Sequence, residues 1–126
     1  VAMRAMNGAK RIIKDDKKVF LTNKDRFLNE FSNSKHNVVK LGLITIYFDF
    51  LNHFEEKEVS KIKTIVLNWT KNSSDWMILA QGMKLLEKLS KSDKSLKLKL
   101  IEVAKRLKND ERKVVRTKAQ KILEDN

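Results

Sequence analysis

Apolar side chains in this chain recur at a spacing of 38 residues. Shifting the sequence against itself by 38 positions places Phe31 on Trp69 and Trp69 on Leu107. Periodicity on this scale is typical of repeat proteins, in which each repeat is a small supersecondary unit that buries its apolar face against its neighbours. The same shift aligns further series: Leu28, Val66 and Ala104; Phe27, Ile65 and Val103; Val39, Met77 and Val115.

Within each aligned stretch the apolar residues follow one another at steps of three and four, as in Ile62, Ile65, Val66 and Trp69. This spacing puts them on one face of an α-helix. The chain has no proline and only three glycines, so little interrupts helix formation. We call alternate helices A and B: the predicted A helices span 18–31, 56–70 and 94–108, and the predicted B helices span 1–14, 37–53, 75–90 and 112–124.

Short polar connections separate the predicted helices, and short connections make neighbouring helices antiparallel. We therefore predict an all-α fold, a right-handed α-α superhelix of about seven antiparallel helices. Residues 1–126 are predicted to form one domain, with a half repeat at 1–17 and repeats at 18–54, 55–91 and 92–126. The chain opens on a B helix without an A partner, so we expect an upstream helix to complete the first pair.

The last repeat resembles the HEAT-repeat family. Asp110 stands where that family has a loop Asp, and Val115 and Arg116 resemble its Val-Arg pair, followed by Ala119 and Leu123 on the B helix. The resemblance extends over the whole chain through the 38-residue period, and Val39-Lys40 retains a cationic pair. It implies an α-solenoid of the armadillo type, and it is closest to small prokaryotic HEAT-like proteins with no assigned activity.

Residues for catalysis or metal binding are scarce. The chain has no cysteine, and His36 and His53 do not follow a metal-ligand spacing. The acidic pairs Asp15-Asp16 and Glu55-Glu56 lie in predicted turns, where they complement helix dipoles. No phosphate-binding glycine loop or activated nucleophile is visible. We therefore expect no enzymatic activity, no cofactor and no metal.

Positive charge is the strongest functional signal. The chain carries 28 Lys and Arg against 16 Asp and Glu, a net charge of +12. Solvation of helix surfaces, phosphate binding, an acidic protein partner and a membrane surface are four interpretations of this excess. B helices usually line the concave face of a solenoid, which makes candidates of the basic residues along them: Arg4, Lys40, Lys84, Lys88, Arg116 and Lys121.

A second, local resemblance involves Trp69 and Trp76. The turn between them is similar to an A-to-B turn in HEAT-like DNA-alkylation-repair glycosylases, which hold damaged DNA in a concave basic groove with aromatic and acidic residues. The arginine that tends to follow the second Trp in that family is missing here, where Ile78, Leu79, Ala80 and Gln81 stand in its place. Alignment of Trp69 with core positions favours a packing role, whereas Trp76 is a candidate binding residue. Asp49 and Asp75 are the acidic candidates for such an activity.

Three functional hypotheses follow, and the third is a fragment of a DNA-repair glycosylase. The first is a non-catalytic scaffold that binds a protein partner on the concave B-helix face. The second is sequence-nonspecific binding of nucleic acid through phosphate contacts of the basic B-helix residues. No apolar run is long enough to span a bilayer, and we expect the protein in the cytoplasm.

Overall fold

The computed structural model describes residues 17–125, which form helices and turns without a β-strand. This confirms the all-α prediction for that range, and each helix starts within one residue of its predicted position. The predicted B helix at 1–14 lies outside the described residues. The helices are α1 (Lys17–Asn29), α2 (Asn37–Asp49), α3 (Glu56–Asn72), α4 (Trp76–Leu89), α5 (Lys94–Leu107) and α6 (Lys113–Glu124).

Two helices, α1 and α2, end two or more residues earlier than predicted, and each is followed by a short 3-10 turn. After α1, the turn Phe31–Asn33 supplies Ser32 and Asn33, whose side chains donate to the carbonyls of Leu28 and Asn29 at 2.5 and 2.7 Å. Polar side chains that bond to the last-turn carbonyls compete with further helical hydrogen bonds. After α2, the turn Leu51–His53 follows Phe50.

The chain divides into two compact units, residues 1–62 and 63–126, with the boundary inside α3. The described part of the first unit has an aromatic core. The ring of Phe20 is fully buried, stacks on Phe50 at a centroid distance of 4.5 Å and meets the ring of Phe54 edge-on at 5.4 Å. Such ring pairs stabilise a core beyond the area that they bury.

A buried hydrogen bond joins α1 to α2 in this first unit. The hydroxyl of Tyr47 donates to the carbonyl of Phe27 at 2.6 Å, and Tyr47 has no solvent-exposed surface. Burial raises the pKa of the Tyr47 phenol well above its ordinary value of 10, because the charged form would lose its solvation. Tyr47 is therefore a neutral donor at physiological pH.

The second unit has an aliphatic core, in which α4, α5 and α6 pack against one another. Gly82 of α4 lies against Thr70 at the end of α3, and a Cβ atom at position 82 would overlap the Thr70 methyl group. The glycine thus permits a close helix approach that a side chain would block. The fully or nearly buried aliphatic side chains of α4 to α6 are Ile78, Leu79, Met83, Leu85, Leu86, Leu89, Leu96, Leu100, Val103, Leu107, Val115 and Ile122.

Aspartates begin two helices of the second unit. The carboxylate of Asp75 accepts from the backbone N–H groups of Met77 and Ile78 at 2.9 and 3.1 Å, and that of Asp93 accepts from Leu96 at 3.1 Å. These contacts satisfy otherwise unpaired N–H groups and place negative charge at the positive end of each helix. Among the described helices, none is long and apolar enough to cross a membrane.

Candidate binding surfaces of the second unit

The solvent-exposed face of α4 carries two of the predicted basic residues. Lys84 and Lys88 are exposed and lie on one helix face with Met77 and Gln81, since these positions follow at steps of three and four. The opposite face of α4 is buried in the aliphatic core. We call this set of four residues the α4 face; it is apolar at the start of the helix and basic toward its end.

Large apolar side chains are exposed where α4 and α6 begin. Trp76 is 45% exposed, Met77 40% and Val114 53%. The guanidinium of Arg112, the residue before α6, donates to the carbonyl of Ser74, two residues before α4. The two helices therefore start at the same end of the unit, and we call Trp76, Met77 and Val114 the apolar edge. Trp69, in contrast, is a core residue as predicted, with only 7% of its surface exposed.

The loop before α6 is tied together by Asp110 and Arg112. Both carboxylate oxygens of Asp110 accept from the Arg112 guanidinium at 2.9 Å, and one of them also accepts from the Arg112 backbone N–H. These bonds, with the guanidinium contributing most, lower the pKa of the Asp110 carboxyl from 3.8 to about 2. The pair holds the arginine in position to reach Ser74.

Arg116, which lies in the first turn of α6, also contacts this loop. Arg116 is half-buried, and its guanidinium donates to the carbonyls of Asp110 and Glu111 at 3.2 and 3.4 Å. Arg116 and Lys121 lie about 140° apart around the axis of α6 because they are five residues apart. The two predicted binding residues are thus not on one face of the helix, and Arg116 supports the loop.

Lys121 lies at the other end of the unit, where it lines a cleft of about 340 Å³. The cleft also includes Lys91 and Lys97, beside Leu100 and Ser90, whereas the predicted binding residues of α4 are not part of it. Neither Lys91 nor Lys97 is among the binding residues predicted from the sequence. The turn Ser90–Ser92 falls at a predicted break between two helices, but the 38-residue pattern does not indicate that Lys91 and Lys97 lie beside Lys121.

The remaining candidates lie elsewhere. Lys40 is half-exposed on α2 in the first unit, and Arg4 lies outside the described residues. Asp49 is exposed at the end of α2, and the carboxylate of Asp75 is engaged by the backbone N–H groups at the start of α4.

Over residues 17–125 no group of three or more His, Asp or Glu side chains is placed to hold a metal ion. The described part of the chain thus offers two surfaces for binding, the α4 face with the apolar edge, and the lysine-lined cleft. No protein-family model, no curated protein and no solved structure matches this chain.

Proposed function

We propose that this chain is a non-catalytic helical-repeat scaffold that binds an acidic, partly apolar segment of a protein partner. The segment would lie along the α4 face and place its apolar side chains on the apolar edge. The observation that carries this proposal is the exposure of Trp76 and Met77 on the same helix as the exposed lysines Lys84 and Lys88.

The helices of this chain begin at nearly regular intervals, which supports a repeat scaffold. Helices α1, α3 and α5 begin at residues 17, 56 and 94, and α2, α4 and α6 begin at 37, 76 and 113. Arg112 donates to Ser74, a residue 38 positions earlier, which links the loops before two successive B helices. These features support a HEAT-like right-handed superhelix, with the B helices as its binding side.

The binding part of the proposal follows from how interfaces obtain their affinity. Exposed Trp side chains bury a large area with few rotatable bonds, and Trp is enriched among the residues that dominate binding energy. Lysines beside an apolar anchor favour acidic partners and accelerate their association. Met77 can adapt its shape to different apolar side chains, because its side chain is flexible and polarisable.

Nucleic acid is the second candidate partner. It is favoured by the number of exposed lysines on the second unit, including Lys84 and Lys88 on α4 and three further lysines at the cleft. Phosphate contacts would make the affinity fall steeply with salt concentration, whereas contacts made by Trp76 and Met77 depend little on salt.

The test is a selection of displayed random peptides on the purified chain. We expect enrichment of peptides with acidic and large apolar residues, and Trp76→Ala should weaken their binding at least about tenfold, as expected for an interface anchor. The matched control is Leu98→Ala on α5, because Leu98 is 66% exposed and belongs neither to the α4 face nor to the apolar edge. Equal effects of the two substitutions, or no enrichment, would reject the proposal.

The second candidate is tested on the same proteins by fluorescence anisotropy with labelled DNA and RNA over a salt series. The double substitution Lys84→Glu, Lys88→Glu should weaken the binding of acidic peptides and of nucleic acid alike. Nucleic-acid binding that persists at physiological salt, with a steep salt dependence and no effect of Trp76→Ala, would favour nucleic acid over a protein partner.

A further inference from the structure

The cleft at the far end of the second unit has a composition suited to a small ligand. Lys91 follows α4, Lys97 is on α5 and Lys121 is on α6, so three separate elements each supply one lysine. Its volume of about 340 Å³ falls at the lower end of the range found for small-molecule sites. None of the residues on the α4 face or the apolar edge lines this cleft.

Positive charge exceeds negative charge in the cleft. Glu87 lines it, but the Glu87 carboxylate already forms an ion pair with the ammonium group of Lys118 at 2.7 Å. Asp125 is the other acidic residue of the lining. Three lysines against Asp125 leave a net charge of about +2 for a ligand to neutralise, at pH values where lysine is protonated.

The ammonium groups of the three cleft lysines have no partner among the described residues. Across residues 17–125, Lys91, Lys97 and Lys121 form no salt bridge and no side-chain hydrogen bond, in contrast to Lys63 and Lys118, which pair with Asp93 and Glu87. Their ammonium groups are therefore available to an anion that enters the cleft.

The residue types at the cleft favour one class of anion. Lysine is a common phosphate ligand because it presents a compact charge without a fixed donor geometry, and several lysines around one cleft can each bind a different oxygen of a phosphate group. No arginine lines this cleft. The nearly buried Leu100 and Ser90 contribute to its wall, and the Ser90 hydroxyl donates to the Glu87 carbonyl at 3.0 Å, so the lysines are the groups that select the ligand.

We propose that Lys91, Lys97 and Lys121 form a binding site for a phosphate group. The site is separate from the partner surface proposed above and does not depend on it. The phosphate group comes either from a small phosphorylated anion or from the backbone of a nucleic acid, and the recognition chemistry is the same for both.

Nuclear magnetic resonance titrations of the chain with inorganic pyrophosphate, and separately with a short single-stranded DNA, test this site. We expect saturable shifts of the backbone amides of Ser90, Lys91, Lys97 and Lys121. Lys97→Gln and Lys121→Gln should each weaken binding roughly fivefold, as loss of one partly exposed charge contact predicts. Asp125→Asn should strengthen binding, because it removes the one unpaired negative charge of the lining.

Lys99→Gln is the matched control, since Lys99 is an exposed lysine of the same helix as Lys97 but is not part of the cleft. Site-specific binding of pyrophosphate supports a small phosphorylated ligand, and site-specific binding of DNA alone supports a nucleic-acid backbone. Shifts spread evenly over exposed lysines, or equal effects of Lys97→Gln and Lys99→Gln, would overturn the proposal. Circular dichroism of each variant confirms that it is folded.

Discussion

The two units of this chain are built from the same kind of helix but are stabilised by different chemistry. Residues 17–62 of the first unit enclose stacked aromatic rings and a buried tyrosine hydroxyl that bonds to a carbonyl of the neighbouring helix. The second unit encloses mainly aliphatic side chains together with Trp69, and its helices are joined at their ends by arginines that donate to carbonyls. The helical pattern therefore requires apolar residues at given positions without fixing which apolar residues they are.

The polar contacts of the two units differ in place as well as in kind. In the first unit the Tyr47 bond lies in the core, where an unpaired polar group would be costly. In the second unit Arg106 donates to the carbonyls of Thr70 and Lys71 at 2.6 and 2.8 Å and so satisfies carbonyl groups at the end of α3. The buried polar side chains of the second unit, Thr70 and Ser90, each donate to a carbonyl three residues earlier along the chain and not to a neighbouring helix.

The largest effect is expected from removing the central aromatic ring. Phe20→Ala should lower the free energy of unfolding by about 3–5 kcal/mol, because it deletes a fully buried ring that contacts several others. Leu85→Ala in the aliphatic core should cost less, about 2–4 kcal/mol. Urea unfolding measures both, with the single tyrosine, Tyr47, reporting on the first unit and the two tryptophans on the second. If both substitutions lower the free energy of unfolding equally, the aromatic core does not depend more on its central side chain than the aliphatic core does.

A smaller effect is expected at the close approach of α3 and α4. Gly82→Ala should destabilise the chain by about 1–3 kcal/mol, since the new methyl group overlaps that of Thr70. Thr70→Ser removes the Thr70 methyl while keeping the hydroxyl, which donates to the Leu67 carbonyl. The double variant should recover most of the stability that Gly82→Ala loses, in a double-mutant cycle. If the effects of the two substitutions simply add, the new methyl group at position 82 does not overlap the Thr70 methyl group, and the proposed contact is wrong.

The smallest effect concerns pH and the loop before α6. The pKa of Asp110 is lowered to about 2 in the folded chain, so its ionised form stabilises the fold above the ordinary value of 3.8. That contribution should decline as the pH falls from about 4 to 2. The difference in thermal stability between the native chain and Asp110→Asn should shrink over the same interval. A difference that stays constant over this range would show that the charge of Asp110 is not involved.

Much of the helical architecture was predictable because it depends on the spacing of apolar residues. The starts of α1 to α6 follow from that spacing and from the polar turns, and the core position of Trp69 follows from its alignment with Phe31 and Leu107. The superhelical arrangement and the HEAT resemblance remain predictions.

The candidate sites were less predictable because they depend on which elements meet. Lys84 and Lys88 could be placed on one face from their spacing alone. Arg116, by contrast, donates to carbonyls of the loop before α6, a contact that the spacing of residues could not indicate. The cleft combines residues from a turn and two helices, and a pattern within single helices contains no information about that combination.

The Arg112–Ser74 contact has a consequence for how such a chain tolerates change in length. It joins two loops across 38 residues, so an insertion or deletion that shifts α4 or α5 alters the distance that it must span. One residue added inside α4 or α5 would also rotate the following side chains by about 100°. Length variation in related sequences should therefore be confined to the turn Ser90–Ser92 and its neighbours, where extra residues can loop outward without changing the helices on either side.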